Sequence, residues 1–261
     1  MIKAHGIKKN YGSHTVLNGT DFTAERKKIT YILGTSGGGK STLLKILIGA
    51  LKPDAGNVIF EETDITQLEG SKLDPFRKKI GMLFQHGALL NSLTVGENIS
   101  LPIREHTHLD ENIIKIMVKM KLELVGLRDF EDLYPGQLSG GMQKRVALAR
   151  ALALDPEVVF FDEPTSGLDP IVAAVITKLI ADLNRVQGIT CIVVSHAVEE
   201  AMRIADKIVI LYLGKVLAQG TPQEIKSSVD PLVQQFITGS PDGPIAFHTS
   251  RKDFREDLLV E

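Results

Sequence analysis

The chain contains a glycine-rich segment at 34–41, Gly-Thr-Ser-Gly-Gly-Gly-Lys-Ser, with the composition and spacing of a phosphate-binding loop. Glycines let backbone N–H groups approach phosphate oxygens, a lysine can reach the β and γ oxygens, and a serine hydroxyl can ligate Mg²⁺. A glycine turn without a ligand is the alternative, which the strand pattern before the segment and the helix pattern after it disfavour. We therefore expect a nucleoside triphosphate to bind through Gly34, Ser36, Gly37, Gly38, Gly39, Lys40, Ser41 and Thr42.

A second candidate anion site lies in the octapeptide 138–145, Leu-Ser-Gly-Gly-Met-Gln-Lys-Arg. Strong helix formers follow the glycines, so the serine would stand at a helix N-terminus, where free N–H groups and the helix dipole favour an anion. By itself the pattern also fits a serine that caps a helix after a glycine turn. Both interpretations place Ser139, Gly140 and Gly141 at the start of that helix.

Two carboxylates, Asp162 and Glu163, follow the apolar run 158–161. Ligands of open parallel sheets bind outside the carboxyl ends of the strands, so this pair is expected beside the phosphate loop. We expect Asp162 to hold Mg²⁺ through water and Glu163 to act as general base on the attacking water.

Gln85 and His196 also follow strand-like runs. Taken singly, each would be an ordinary polar residue, but beside a phosphate loop both become candidate sensors of the γ-phosphate and the attacking water. Gln85 joins Ser41 and Asp162 in the predicted metal site. Tyr11 is a candidate to stack on the adenine ring, with simple packing as the alternative.

Bulk composition disfavours several classes of protein. The 261 residues include 30 Lys and Arg against 32 Asp and Glu, so there is no basic excess for nucleic-acid binding. The apolar runs, such as 208–213, fall short of the ~20 residues that span a bilayer, and the amino end has no secretory-signal pattern. Cys191 lies in a β-branched run that predicts a buried strand and an inert thiol. Two histidines, His106 and His108, lack a third metal ligand, and we interpret them as loop residues.

Alternating strand and helix patterns predict an α/β fold whose parallel sheet is covered on both faces. Turns at 11–13 and 18–19 divide the strands that precede the phosphate loop. The segment from about 86 to 137 has no long apolar strand and is predicted to be an inserted helical arm. Its clearest helix, 110–125, carries an apolar stripe that we interpret as ordinary core: Ile113, Ile116, Met117 and Met120.

Two further segments complete the prediction. A helix over 172–186 should direct five apolar side chains inward: Val175, Ile176, Leu179, Ile180 and Leu183. Near residue 238 the composition changes to a Gly- and Pro-rich stretch, and we expect the tail 238–261 to dock on another surface through Ile245, Phe247, Phe254, Leu258 and Leu259, with fraying as the alternative.

Residues 1 to about 237 resemble the ATPase subunit of ABC transporters. The resemblance rests on motifs that follow one another in the family's order: the phosphate loop, Gln85, the octapeptide, Asp162-Glu163, the Ser-Gly-Leu-Asp segment 166–169 and His196. The resemblance implies a P-loop NTPase (RecA-like) core with an N-terminal antiparallel β-subdomain and an α-helical subdomain inserted at about 86–149. ATP and Mg²⁺ are the implied cofactors.

The same resemblance implies a homodimer. In that family two such domains bind head to tail with two ATP molecules between them. The turn 139–141 would then contact the γ-phosphate of ATP held by Lys40 of the partner subunit, and Asp169 would lie at the dimer seam. A groove near Gln85 would receive a coupling helix of a membrane subunit. Ala197 follows the histidine where the family often has aspartate, so details of that switch differ.

Three short segments, 101–107, 133–135 and 242–244, resemble the ATPases of the bacterial Mla phospholipid transport system. This narrower resemblance implies phospholipid movement between the inner and outer membranes that maintains outer-membrane lipid asymmetry. It implies a peripheral position on the cytoplasmic face of the inner membrane. The implied partners are an integral membrane permease of the MlaE type, an MCE-domain protein (MlaD-like), and a STAS-domain protein (MlaB-like) on the helical arm, with the tail crossing to the other ATPase subunit.

Three alternatives remain open on the sequence: the ATPase of a polar-solute importer, a soluble ABC protein that acts on ribosomes, DNA or iron–sulfur assembly, and a nucleotide-binding module without turnover. A single ATPase domain without a long coiled-coil insertion disfavours the second, and Glu163 with His196 disfavours the third.

Overall fold

The computed structural model describes residues 1–245, which form two β-sheets flanked by helices. The strands in this part of the chain are β1 (Ile2–Tyr11), β2 (His14–Ala24), β3 (Ile29–Gly34), β4 (Ala55–Phe60), β5 (Thr63–Asp64), β6 (Ile80–Leu83), β7 (Val158–Asp162), β8 (Thr190–Val194), β9 (Lys207–Tyr212) and β10 (Lys215–Gly220). The helices are α1 (Lys40–Leu47), α2 (Asp74–Arg77), α3 (Val95–His106), α4 (Glu111–Leu124), α5 (Gly140–Ala151), α6 (Pro170–Gln187), α7 (Val198–Ile204), α8 (Pro222–Lys226) and α9 (Pro231–Thr238).

The amino-terminal sheet is antiparallel, in the order β2-β1-β4-β5. The predicted turn at Asn18-Gly19 is wrong, because both residues lie inside β2. Ile7 pairs with Thr20 and Lys8 with Asn18, so Gly19 is the extra residue of a β-bulge. Its φ of 76° is a conformation that glycine adopts without a steric penalty.

The second sheet has the order β10-β9-β3-β8-β7-β6, with β10 antiparallel at one edge and the other strands parallel. Alternate side chains enter opposite layers: Phe160 packs with α1 and the antiparallel sheet, whereas Phe161 packs with the helices that follow β6. Cys191 is buried in β8, and burial raises the pKa of its thiol. The predicted α/β core with an antiparallel sheet and inserted helices is confirmed.

The inserted arm consists mainly of α3, α4 and the start of α5. Thr94 caps the start of α3 through a reciprocal pair of bonds: the Thr94 hydroxyl accepts from the Glu97 amide, and the Glu97 carboxylate accepts from the Thr94 amide. The predicted helix 110–125 is present as α4, but the interpretation of its stripe as core is wrong: Ile113, Ile116 and Met120 are exposed and Met117 is partly buried. The buried side chains of α4 lie on another face: Ile114, Val118, Lys121 and Leu122.

Helix α6 begins where Asp169 accepts hydrogen bonds from the amides of the first turn. Ile176, Ile180 and Leu183 are buried as predicted, and Leu179 is partly buried. Val175 is exposed, which corrects the prediction that it faces inward, because the helix packs against the sheet along a narrower strip than its apolar pattern allows.

Helix α9 ends at Thr238, and Gly239 is its C-cap. The Gln235 amide then holds the following turn, since its Nε2 donates to the carbonyls of Ser240 and Ile245 and its Oε1 accepts from the Ile245 amide at 2.6 Å. The predicted docking of the tail through Phe247, Phe254, Leu258 and Leu259 lies outside the described residues.

Candidate functional site

The carboxyl ends of β3, β8, β7 and β6 lie side by side at one edge of the parallel sheet. Gly34 ends β3, Asp162 ends β7, His196 follows β8 by two residues, and Gln85 follows β6 by two residues. The strand order therefore brings the predicted phosphate, metal and water-activating groups to one edge, although they are far apart in sequence.

The phosphate loop connects β3 to α1, and the first and last glycines of this loop have no room for a side chain. A Cβ on Gly34 would lie 2.3 Å from the Leu211 carbonyl oxygen, and one on Gly39, at φ 94°, would lie 2.7 Å from the Leu17 side chain. No side chain caps α1 within the described structure, so its first-turn amides face the loop. This is the backbone arrangement that receives an anion.

Lys40 lies at the start of α1 and closes over this loop. Its Nζ donates to the carbonyls of Gly34 at 2.8 Å and Thr35 at 3.0 Å. Burial lowers the pKa of the Lys40 ammonium, and the nearby charges of Glu163 and Asp162 act in the opposite direction. Phosphate oxygens are stronger acceptors for an ammonium than carbonyls, so the lysine can exchange these bonds for a nucleotide.

The predicted metal ligands are all oxygen donors. Ser41 is exposed at the start of α1, Asp162 is half-buried, and Gln85 is exposed. Among the residues that the structure describes, the buried Asp162 Oδ1 has no hydrogen-bond partner. Burial and the charge of Glu163 raise the pKa of the Asp162 carboxyl, which a cation would reverse. A single carboxylate with neutral oxygen donors fits Mg²⁺ that is bound mainly through substrate phosphates.

Glu163 and His196 form a close pair that the sequence did not predict. His196 Nδ1 lies 2.8 Å from Glu163 Oε2, with the histidine side chain 68% exposed and the glutamate side chain 15% exposed. The Glu163 amide donates to the Val194 carbonyl, and its φ of 48° is left-handed, which is uncommon for a residue with a side chain. Such backbone geometry occurs often where a fold must aim a functional side chain.

The octapeptide forms the N-terminus of α5. The Ser139 hydroxyl accepts from the Met142 amide at 3.3 Å, so within one chain it caps the helix. A Cβ on Gly141 would lie 2.5 Å from Val172 of α6, whereas a Cβ on Gly140 would meet no described atom within 4 Å. Gly141 thus has a packing reason within the chain, while Ser139 and Gly140 face open space.

Tyr11 and Asp169, the remaining predicted site residues, lie outside the carboxyl edge of the parallel sheet. Tyr11 is half-exposed at the end of β1, where a flat ligand can reach its ring. Asp169 caps α6, and the next residue but one, Ile171, is 78% exposed. His106 and His108 are exposed, and within residues 1–245 no three His, Cys, Asp or Glu side chains group closely enough to hold a metal ion.

Sequence reasoning missed Lys144. This α5 residue is buried and donates to carbonyls of the chain that follows Glu163. The available signal was a lysine on the same helical face as Gly141 and Leu148, which are buried helix positions.

Comparison with known proteins gives consistent results. A family model described as ABC transporter matches residues 17–166. The chain is 45% identical, over 99% of its length and 98% of the relative's, to the intermembrane phospholipid transport system ATP-binding protein MlaF of Haemophilus influenzae. It is 38% identical, over 97% of its length and 70% of the relative's, to a Mycobacterium tuberculosis protein named as a probable ribonucleotide transport ATP-binding protein.

A solved structure also matches over most of the fold. It is a dimeric ATP-binding cassette in a post-hydrolysis state, bound to ADP and phosphate. The TM-score is 0.79 at 31% identity, and the match covers 85% of this chain and 99% of that one. No helix within residues 1–245 combines the length and apolar character needed to cross a bilayer.

Proposed function

The chain belongs to the ABC transporter family as an ATP-binding subunit and ATPase, and we propose that it powers phospholipid transport through a separate membrane permease. The observation that carries the proposal is the 45% identity to MlaF over nearly the whole of both chains, including the arm where accessory partners would bind. Phospholipids would move between the inner and outer membranes and so maintain outer-membrane lipid asymmetry, with the subunit held peripherally on the cytoplasmic face of the inner membrane.

ATP and Mg²⁺ are the proposed ligands. The loop 34–39 and Lys40 would hold the phosphates, and Tyr11 would stack on the adenine ring. Ser41, Asp162 and Gln85 would hold the metal, which fits the unpartnered Asp162 oxygen noted within the described residues. Bound Mg²⁺ would neutralise charge on the phosphates.

Glu163 is proposed as the general base. Its carboxylate is mostly buried at the strand edge and can accept a proton from the water that attacks the γ-phosphate. His196 Nδ1 lies 2.8 Å from Glu163 Oε2, and a proton on that nitrogen would help to orient the carboxylate. Gln85, at the end of the neighbouring strand, would help to place the water and the metal.

A homodimer would complete each nucleotide site. Ser139, Gly140 and Gly141 would bind the γ-phosphate held by the partner, because the first turn of α5 presents amides and a hydroxyl outward. Asp169 would lie at the seam beside the exposed apolar side chains of Ile171 and Val175, which suit a protein interface. The dimeric solved relative supports this arrangement.

The other proposed partners have separate surfaces. Phe84 and Leu90, exposed on either side of Gln85, suit a coupling helix of the MlaE-like permease. The exposed stripe of α4 suits a small STAS-domain protein (MlaB-like), since a soluble surface rarely leaves such residues uncovered. An MCE-domain protein (MlaD-like) would bind the permease, and the tail 238–261 would reach the other ATPase subunit.

The catalytic assignment is tested with the full chain and its Glu163→Gln variant. We expect the variant to bind ATP with nearly unchanged Kd and dimerise, while hydrolysis falls about 10²- to 10⁴-fold because the base is lost. Lys40→Ala is the control that loses nucleotide binding, and Ser139→Arg should keep binding but block hydrolysis. Unchanged steady-state hydrolysis by Glu163→Gln would contradict the assignment of the base.

The substrate is tested by reconstituting the ATPase with its permease in vesicles. ATP-dependent movement of labelled phospholipid, absent with Glu163→Gln, is the expected result. The mycobacterial relative makes ribonucleotide uptake the specific alternative. Uptake of ribonucleotide without phospholipid movement would replace the proposed substrate while leaving the ATPase assignment intact.

A further inference from the structure

Helix α5 carries one buried lysine and two partly buried arginines whose heads lie against loop backbone. All three donate to carbonyls: Lys144 to those of Glu163, Pro164 and Ser166, Arg145 to residues 125–126 and Arg150 to residues 87–88. Burial lowers the pKa of all three groups. Cations are costly to bury unless their donors find acceptors. Lys144 directs its donors to three carbonyls, whereas the Nε of Arg145 is buried without a hydrogen-bond partner among the described residues.

Lys144 has the most specific set of acceptors. The residue is 7% exposed, and its Nζ donates to the carbonyls of Pro164 at 2.9 Å and Ser166 at 2.6 Å, with the Glu163 carbonyl at 3.4 Å. An ammonium has three donors, and here all three point at one turn of backbone. The turn is the one that begins at the proposed base.

The backbone of Glu163 is consequently held from two sides. On one side its amide donates to the Val194 carbonyl of β8. On the other side the carbonyls of Glu163, Pro164 and Ser166 accept from Lys144. The left-handed φ of Glu163 is not a conformation that this residue prefers, so surrounding contacts must maintain it.

We infer that Lys144 is a positioning residue that sets the turn 163–166 and thereby aims the Glu163 carboxylate at the attacking water. The inference rests on the proposed role of Glu163 as base. The hydrogen bonds of Lys144 within the described residues all go to backbone carbonyls, so we place its effect on Glu163 and not on the nucleotide. A displacement of about 1 Å in a catalytic group can lower turnover about 10²-fold.

Arg145 provides a matched control on the same helix. It is also a partly buried cation with a lowered pKa, and its guanidinium also donates to two backbone carbonyls. Those carbonyls belong to Val125 and Gly126 at the end of α4, away from the strand edge. General damage to α5 would lower kcat in variants of both residues, whereas loss of positioning would lower kcat only in variants of Lys144.

The experiment measures kcat, KM, the Kd for ATP and the Tm for full-length Lys144→Met, Lys144→Arg and Arg145→Met. We expect Lys144→Met to lower kcat about 10- to 100-fold with Kd within about two-fold. Lys144→Arg should recover most of kcat, because a guanidinium also donates to several carbonyls. Arg145→Met should keep kcat within about three-fold of the unchanged protein, even if its Tm falls as much as that of Lys144→Met. If Lys144→Met does not fold, Lys144→Gln takes its place; its shorter, uncharged side chain has two donors instead of three, so kcat should still fall while the Kd for ATP stays unchanged, and an unchanged kcat would overturn the positioning role.

The double variant Lys144→Met/Glu163→Gln separates this inference from the proposed function. If Lys144 acts through Glu163, the double variant should be no slower than Glu163→Gln alone. If the loss of kcat in the double variant equals the product of the two single losses, the positioning role is overturned. An equal loss of kcat in Arg145→Met would overturn it as well. If Lys144→Met keeps its kcat while Glu163→Gln is slow, the role of Lys144 is overturned and the base assignment stands. If Glu163→Gln itself hydrolyses ATP at the normal rate, the assignment of Glu163 as base is wrong.

Discussion

Helices α4 and α5 lie in the same inserted segment and have similar lengths, 14 and 12 residues, yet they use their side chains in opposite ways. On α4, Ile116 and Met120 are 59% and 62% exposed. On α5, the head of Lys144 is buried and that of Arg150 is partly buried, and both lie against loop backbone. Apolar groups thus face outward on one helix while cations face inward on its neighbour.

The contrast teaches that a side chain's partners, and not its hydropathy alone, determine where it lies. Long cationic side chains can be buried when carbonyls accept their donors, and the apolar stem then packs in the core. Apolar side chains remain exposed where the opposite face of the helix already fills the core. The outer face of α4 is then available to a partner, and the cations of α5 connect that helix to three separate loops.

The largest expected effect separates the two faces of α4. Leu122 is fully buried, so Leu122→Ala should lower the free energy of unfolding by about 2–5 kcal/mol. Met120→Ala, on the exposed face, should change it by about 0.5 kcal/mol or less. Urea denaturation of both variants measures the difference. Equal losses would mean that the outer face is part of the core and would break the comparison.

A smaller effect is expected on partner binding. The double variant Ile116→Glu/Met120→Glu places two charges on the outer face of α4 and should weaken binding of the proposed STAS-domain partner by at least about 10-fold. The ATPase rate of the isolated chain should not change. Val229→Glu, at an exposed apolar residue in the loop before α9, is the matched control and should leave affinity unaltered. Titration by calorimetry gives both constants, and equal affinities in all three proteins would refute the docking face.

The smallest effect concerns Asp162, a half-buried carboxylate whose Oδ1, unlike the ammonium of Lys144, has no hydrogen-bond partner among the described residues. Burial and Glu163 raise the pKa of Asp162, so its ionised form destabilises the nucleotide-free fold. Below the unfolded-state pKa, Asp162→Asn and the unchanged protein should be equally stable. As the pH rises through the raised pKa, Asp162→Asn should become more stable than the unchanged protein. Its Tm should be about 2–4 °C higher for each kcal/mol of difference in the free energy of unfolding.

Asp54→Asn is a control with the opposite sign. Asp54 accepts from Lys9 Nζ and from the Asn10 amide, and these bonds lower the pKa of its carboxyl. Its contribution to stability is present above the unfolded-state pKa and is lost as the pH falls through the lowered value. Thermal melts of both variants at neutral and acidic pH should therefore diverge in opposite directions, and shifts of the same sign would contradict the two pKa assignments.

The sequence was sufficient for features that lie within one short segment. The loop 34–41, the strand before it and the helix after it follow from local chemistry, because glycine conformations and a lysine at fixed spacing leave few alternatives. It also predicted that Asp162 and His196 share a sheet edge, since parallel strands place their carboxyl ends together. The turn at 18–19 failed because a glycine at positive φ serves a bulge as well as it serves a turn.

Other features were set by tertiary structure alone. Periodicity identified an apolar stripe on α4, but whether that stripe or the opposite face meets the core depends on how α3 and α5 pack against it. The contact between His196 and Glu163 and the bonds from Lys144 to residues 163–166 join segments whose distance no local pattern encodes. By itself, the amino-acid sequence determined which chemical groups are present and which strand or loop carries each. The packing of elements determined which groups meet, because burial and hydrogen bonding are satisfied across the whole fold and not within a single segment.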